Sequence, residues 1–293
     1  MSERKERLDV LLVEQGFFES REKAKAAVMA GLVLVNGERM EKAGMKVPAT
    51  GAIIVKGDVH PYVSRGGLKL ERAIREFGLD LSGAVMIDIG SSTGGFTDCA
   101  LQHGAAFVYA IDVGTNQLHW SLRTDSRVKV MEKFNFRFVT PEHLTGPAPT
   151  FAATDVSFIS LQLILPPLKP LLQPGSRVVA LVKPQFEAGR ESVGKGIVRD
   201  PKVHRDVLQT VTAFAERSGF ELQGLTHSPI TGGEGNIEFL ALWSVAETQG
   251  VEPGANRKAE ISDLIDRVVD QAHDTFLRPD GQRAAGNPTS SLE

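Results

Sequence analysis

The chain has 293 residues, with 33 Lys and Arg against 36 Asp and Glu, a formal charge of −3 and a single cysteine. That length accommodates a large α/β domain plus a small one, and the nearly balanced charge carries no global basic field, so any nucleic-acid surface has to be local. One cysteine excludes an internal disulfide and fits a reducing cytoplasm; no apolar run reaches the ~20 residues that span a bilayer, and the charged start is unlike a signal peptide.

Residues 1–6 are charged and expected to fray. From Arg7, the run RLDVLLVEQGFF sets Leu8, Leu11, Leu12 and Phe18 at helical spacing, with Gly16 able to stop the helix. Ser20 caps a second helix that ends at Gly31. Val33 and Val35 then lead into Asn36-Gly37, a hairpin turn signal, and residues 51–57 (GAIIVKG) read as another short strand. Basic groups are dense here: Arg4, Lys5, Arg7, Arg21, Lys23, Lys25, Arg39, Lys42, Lys46 and Lys56. Arg21 and Lys25 fall near one face of the second helix. A solvated helix face would account for the charge count alone; a phosphate-binding face would give salt-dependent affinity. Tyr62 to Gly78 links this unit to the next. Gly66 and Gly67 mark a bend, and LKLERAIREF is an amphipathic helix with Leu70, Ile74 and Phe77 on one side. Lys69 lies near its start, an unfavourable place for a cation beside the helix dipole.

The large domain begins near Leu81, and its key stretch is VMIDIGSSTGGFTD, residues 85–98. Val85, Met86, Ile87 and Ile89 form an apolar run expected of a strand buried on both faces, with Asp88 near its C-terminal end. Gly90, Ser91, Ser92, Thr93, Gly94, Gly95 and Phe96 follow, where glycines allow a sharp turn and close approach of a ligand to the main chain. The spacing fails the G-x-G-x-x-G dinucleotide pattern. It resembles instead the S-adenosylmethionine (SAM) loop of class I methyltransferases. A second strand, AAFVYAID, comes about 20 residues later and ends in Asp112, where a carboxylate suits a ribose diol. A βαβ turn with no ligand is the plain alternative. Residues 127–131 read as a third strand, followed by Asn135 in a turn. Residues 151–160 give a fourth, ending in Asp155, and SRVVALVKPQFE a fifth, ending at Lys183 and Pro184. A glycine-rich loop (193–201), a long helix ending at Gly219, and strands FELQGLTHSPI and NIEFLALWSV joined by TGGEG complete the domain. Alternating strands and helices predict an α/β fold, a Rossmann-like sheet of seven mostly parallel strands covered on both faces, with ligands at the C-terminal strand ends. The expected divisions are 1–62, a small α+β domain; 63–80, linker and first helix; 81–247, the large domain; and 248–293, a polar, flexible tail whose residues 261–277 nonetheless show helical apolar spacing. Cys99 reads as a small packing residue.

Two resemblances join these features. Arg7-Leu8-Asp9, Ser20-Arg21, Ala24, Gly31 and Val33-x-Val35-Asn36-Gly37 resemble the S-four RNA-binding domain. Ser64-Arg65-Gly66-Gly67-x-Lys69-Leu70, Asp88 to Asp98, Asp155-Val156-Ser157-Phe158-Ile159-Ser160, Leu181 to Glu187 and Gly235-Asn236-x-Glu238-Phe239 resemble the FtsJ-type ribose methyltransferases. Together, over residues 5–245, the chain is similar to the TlyA (haemolysin A-like) family of rRNA 2′-O-methyltransferases. The resemblance implies a class I methyltransferase fold, SAM held by Asp88, Gly90 to Phe96 and Asp112 with Asn135 near the adenine, and a catalytic tetrad of Lys69, Asp155, Lys183 and Glu238. It implies RNA contacts from Arg4, Arg7, Arg21, Lys23, Lys25 and Arg65. It further implies a cytoplasmic protein whose partner is cytidine ribose in rRNA within ribosomal subunits, with no membrane and no metal. The chemistry suits such a set: a ribose hydroxyl is a poor nucleophile, so its proton must be drawn away and its oxygen aimed in line. Lys183 would take the proton, with Asp155 and Glu238 orienting the two lysines. No obligatory dimer is implied, and a monomer is expected. Three other readings stay open: a non-catalytic RNA-binding or ribosome-assembly protein, a membrane-active haemolysin, and a small-molecule methyltransferase.

Overall fold

In a computed structural model the chain divides into two units, Met1–Pro61 and Tyr62–Glu293. The structure describes residues 5–18, 20–29, 31–55, 60–194, 196–247 and 254–277. Arg4, Lys56 and residues 278–293 lie outside the described residues.

The first unit runs β1 (Lys5–Arg7), α1 (Leu8–Glu14), α2 (Arg21–Met29), β2 (Val33–Val35), β3 (Glu38–Arg39), β4 (Lys46–Pro48) and β5 (Ile53–Val55). Strand β1 pairs antiparallel with β4, and β2 lies between β3 and β5. The turn between β2 and β3 has the chemistry its dipeptide announces: Asn36 and Gly37 both take positive φ, 52° and 85°, the geometry that matches strand twist in a tight hairpin. Leu8, Leu12, Ala24, Val28, Val33 and Val47 fill the core between helices and strands.

The second unit runs α3 (Gly66–Phe77), β6 (Val85–Ile89), α4 (Gly95–Gln102), β7 (Phe107–Ile111), α5 (Trp120–Arg123), β8 (Val128–Met131), β9 (Phe151–Thr154), α6 (Leu165–Leu168), β10 (Arg177–Val182), α7 (Pro184–Glu187), α8 (Pro201–Arg217), β11 (Phe220–His227), β12 (Phe239–Val245) and α9 (Ala255–Leu277). Seven strands form one sheet in the order β11-β12-β10-β9-β6-β7-β8. Strands β8, β7, β6, β9 and β10 are parallel, and β12 is antiparallel to both β10 and β11. This is the seven-stranded, mostly parallel sheet that the alternating pattern predicts.

Period-two alternation explains why the parallel strands read as unbroken apolar runs. Along β6, Met86 packs into a core layer with Leu70, Phe96 and Cys99, while Ile87 and Ile89 pack into the opposite layer with Val178, Leu208 and Trp243. Cys99 is fully buried, and burial pushes its thiol up to about 12, as befits a packing residue. Because β7 lies on one side of β6 and β9 on the other, the loops after these strands diverge and leave a crevice at their C-terminal ends.

Two expectations change. Glu238 does not lie inside a strand; it stands immediately before β12. Since β12 runs antiparallel to β10 with Phe239 opposite Val182, Glu238 arrives beside Lys183 at the crevice. The second change concerns 248–293. Within it, α9 is no flexible tail: Ile261, Ile265, Val268, Val269 and Ala272 are buried in the large core. That spacing makes a single apolar stripe, which must be covered. Arg205 of α8 pairs with Asp266 and Asp270, and the His204 and His273 rings meet at 2.9 Å. Burial, then the nearby His273, pushes His204 down to about 4, so the pair is packed neutral.

Candidate active site

The crevice is floored by the glycine loop. Gly90 and Gly94 take φ of 80° and 99°, which a side chain at either position would strain. A Cβ at Gly90 would sit 2.8 Å from the Asp155 carbonyl oxygen. One at Gly95 would sit 2.4 Å from Ser64 Oγ and 2.8 Å from the Gly67 nitrogen. So the glycines bring this loop against both the Asp155 loop and the start of α3. Ser91, Ser92, Thr93 and Phe96 line the crevice beside them.

Asp88 lies under the loop, fully buried. Its Oδ2 accepts from Thr97 Oγ1 at 2.6 Å, whereas Oδ1 has no hydrogen-bond partner. Burial pushes this carboxyl up to about 7, against the opposing pull of the Thr97 hydrogen bond. Asp112 follows β7 and is held by the backbone: Oδ2 accepts from the Ser92 N–H at 2.8 Å and Oδ1 from the Gly114 N–H at 2.6 Å. It stands outside the residues lining the crevice, as does Asn135, whose Oδ1 accepts from the Arg137 N–H and caps the following turn. The fit to SAM is good on this geometry: a bare glycine backbone, serine and threonine hydroxyls, the N-terminus of α4, and Asp88 at the crevice with one buried oxygen unpartnered.

Across the crevice, four charged side chains from four elements converge. Lys69 comes from the first turn of α3, Asp155 follows β9, Lys183 follows β10 and Glu238 precedes β12. Lys69 Nζ lies 2.8 Å from Glu238 Oε2 and 3.3 Å from Asp155 Oδ2. Lys183 Nζ lies 2.5 Å from Asp155 Oδ1 and donates to Ser157 Oγ at 2.9 Å. Asp155 thus bridges the two lysines. Desolvation pushes its carboxyl up, but Lys69 and Lys183 together outweigh that and hold it below the ordinary carboxylate range. Lys69 and Lys183 are 7% exposed and Glu238 is 2% exposed, a depth at which lone charges would be costly. Two cations and two anions cancel, so the set is sustainable only as a whole. This explains the odd placement of Lys69: two carboxylates outweigh the unfavourable helix end.

Residues outside the expected site also take part. Gly232, in the TGGEG loop, lines the crevice, and a Cβ there would fall 2.1 Å from Glu238 Oε1. Ser157 contacts Lys183 directly. Both lie in stretches visible in the sequence, but a glycine in a loop and a serine after a strand carry no charge signal. Arg65, expected among RNA contacts, is exposed at the mouth of this crevice. In the first unit, Arg7 and Arg21 both bind Asp9, Arg7 Nε at 2.9 Å and Arg21 at 2.7 Å, leaving the two arginines about half exposed at 44% and 53%. The Arg7 hydrogen bond, with Arg21, holds the buried Asp9 carboxyl well below the usual carboxylate range. Lys23 and Lys25 are exposed on α2. No helix among the described residues is long and apolar enough to cross a membrane.

Comparison with known proteins agrees with this geometry. The model of the FtsJ-like methyltransferase family matches residues 62–244, and that of the S4 domain matches residues 6–54. The Bacillus subtilis protein YqxC is 58% identical over 279 residues, covering 94% of this chain and 97% of that one. The 16S/23S rRNA (cytidine-2′-O)-methyltransferase TlyA of Mycobacterium tuberculosis is 39% identical over 262 residues, 87% of this chain and 97% of that one. A solved structure from Streptococcus thermophilus is 53% identical with a TM-score of 0.71, covering 94% of this chain and 98% of that chain. The chain is a SAM-dependent enzyme that belongs to the FtsJ-like methyltransferases, in the TlyA (haemolysin A-like) family, with an S-four domain ahead of the methyltransferase domain.

Proposed function

We propose that this enzyme methylates the ribose 2′-hydroxyl of a cytidine in ribosomal RNA. The observation that carries the reading is the neutral cluster of Lys69, Asp155, Lys183 and Glu238 facing the glycine loop across one crevice. When bound, SAM supplies a methyl group on a sulfonium, which is already electrophilic. What the chain must add is a nucleophile in line with it. Lys183 would first release its own ammonium proton to solvent and then take the hydroxyl proton as the new C–O bond forms and the methyl–sulfur bond breaks, with Ser157 and Asp155 fixing where its Nζ points. Lys69 holds Asp155 and Glu238 in register and offers a positive charge beside the developing alkoxide. Much of the rate then comes from positioning rather than from acid–base strength.

The first unit supports RNA as the substrate class. Arg7 and Arg21 are preset by Asp9, and Lys23 and Lys25 stand exposed on α2, the helix that Arg21 begins, an arrangement suited to phosphates. The relative named above as a 16S/23S rRNA (cytidine-2′-O)-methyltransferase supports the choice of nucleotide. The test is transfer of labelled methyl from SAM to purified small and large ribosomal subunits, wild type beside Lys183→Ala. Label on a cytidine ribose with wild type alone supports the reading. Label on a base, or none on either subunit while SAM still binds, overturns it.

A further inference from the structure

Residues 183–187 and residues 155–161 are fastened together along their length. At one end Lys183 Nζ holds Asp155 Oδ1 at 2.5 Å and Ser157 Oγ at 2.9 Å. In the middle the Phe186 and Phe158 rings lie with centroids 4.8 Å apart. At the far end Glu187 accepts from Ser160 Oγ at 2.6 Å and from the Leu161 N–H at 2.8 Å. The loop needs such closure. Phe158 is 89% exposed and takes φ of 62°, a left-handed conformation that an aromatic residue adopts only when its surroundings impose it. Ser157 beside it is exposed as well; Val156 and Ile159 on either side pack against the large core, so the core anchors the flanks of this loop but not its tip at 157–158.

Glu187 is not among the residues lining the crevice, and nothing in the proposed chemistry uses it. It is nonetheless a carboxyl that burial pushes above its ordinary value, with the Ser160 and Leu161 hydrogen bonds pulling it back. Half-burying a carboxylate on a four-residue helix is unfavourable unless its two oxygens are hydrogen-bonded. Here they serve a hydroxyl and a backbone N–H at once, one residue apart, which no shorter or apolar side chain on α7 could do.

We propose that Glu187 is a positioning residue for methyl transfer: by pinning residues 160–161 it fixes the strained loop that carries Asp155 and Ser157, and through them the direction of Lys183 Nζ. This rests on the reading of Lys183 and Asp155 as acting on the acceptor hydroxyl. An amide can keep both contacts, its oxygen accepting from Leu161 and its NH₂ donating to Ser160, whereas alanine keeps neither.

The test compares Glu187→Ala and Glu187→Gln with wild type in the full-length protein, by methyl transfer to ribosomal subunits, SAM affinity and amide hydrogen exchange over residues 156–161. In Glu187→Ala, kcat is expected to fall roughly 10- to 100-fold while SAM affinity stays unchanged, as for a group displaced near the chemistry. Exchange at 156–161 accelerates, and Glu187→Gln restores both properties. Unchanged protection of 156–161 in Glu187→Ala overturns the proposal whatever the substrate is. So does faster exchange with an undiminished kcat, or a loss of SAM affinity matching the loss of rate, which would mark a general structural role. A wild type that labels neither subunit overturns the rRNA reading instead, and leaves the exchange measurement to decide on Glu187. Should Glu187→Ala fail to fold, Glu187→Gln at acid and neutral pH carries the test, since normal protection with a tenfold slower kcat would equally contradict positioning through this loop.

Discussion

Adding one methyl group at Gly232 should disable the tetrad without touching any of its members. The backbone there has φ of −70° and ψ of −166°, which alanine tolerates, so Gly232→Ala introduces contact rather than backbone strain. The new Cβ would lie 2.1 Å from Glu238 Oε1 and 2.6 Å from its Cδ. Ordinary contact requires the carboxylate or the loop to move by about 1 Å. Glu238 has nowhere cheap to go: it is 2% exposed and its Oε2 is bound to Lys69 Nζ at 2.8 Å. Weakening a buried hydrogen bond between charged groups costs about 1.5–3 kcal/mol. For a unit of this size, at about 2–4 °C per kcal/mol, that lowers the unfolding midpoint by roughly 3–12 °C. A displacement of about 1 Å at the reacting groups slows methyl transfer by up to about 100-fold. The glycine loop from Gly90 to Gly95 is not crowded by the change, so SAM affinity should hold. Gly233→Ala is the control, because a Cβ there meets nothing within 4 Å. Thermal unfolding, SAM titration and methyl transfer on both variants decide the matter. If Gly232→Ala keeps full rate and an unchanged midpoint, the loop yields freely and the position of Glu238 is not what this glycine protects.

Other outcomes follow from the same contacts. Lys183→Ala should abolish methyl transfer while SAM affinity stays near normal; a lost SAM complex would assign Lys183 to cofactor binding. Lys69→Met leaves Glu238 buried without its ion-pair partner, and removing one partner of a buried pair costs about 3–5 kcal/mol; an unfolding midpoint equal to wild type would show that the pair contributes nothing. The carboxyl of Asp88 is raised by burial to about 7, so the folded state holds its proton more tightly than the unfolded chain does. Its contribution to stability is therefore full below the unfolded value of about 4 and is lost as pH rises towards about 7. Asp88→Asn should gain on wild type between about pH 4 and pH 7 in denaturant unfolding, and a gap that stays constant over that range would contradict the burial argument. Asp9 has the opposite sign. Its depressed carboxyl supports the first unit above about pH 4 and ceases to do so as acid protonates it, so Asp9→Asn should remove acid sensitivity there. It should also weaken RNA binding by freeing Arg7 and Arg21, measurable as a salt titration of affinity; binding indistinguishable from wild type would show that Asp9 does not preset them.

The sequence by itself determined the sheet and the cofactor loop. Apolar runs such as Val85 to Ile89, turn residues such as Asn36-Gly37 and the glycines from Gly90 to Gly95 act over a few neighbouring positions, so local chemistry suffices to read them. Lys183 and Glu238 were conspicuous as charges in apolar strands, but Lys69 and Asp155 joined them as a set only through the resemblance to the FtsJ-type motifs. Where those charges meet was decided by tertiary structure. Glu238 comes to the same crevice as Lys183 only because β12 turns back antiparallel to β10, and Lys69 reaches both carboxylates only because α3 packs against β12. The buried place of α9 was likewise hidden, since an amphipathic stretch shows that it has an apolar face but not what covers it. What Gly232, Ser157 and Glu187 do was hidden, although the last two lie in motifs that carry the resemblance: a missing side chain, a hydroxyl and a half-buried carboxylate acquire meaning only from partners that are 6, 26 and 27 residues away in the chain and within contact distance in the fold.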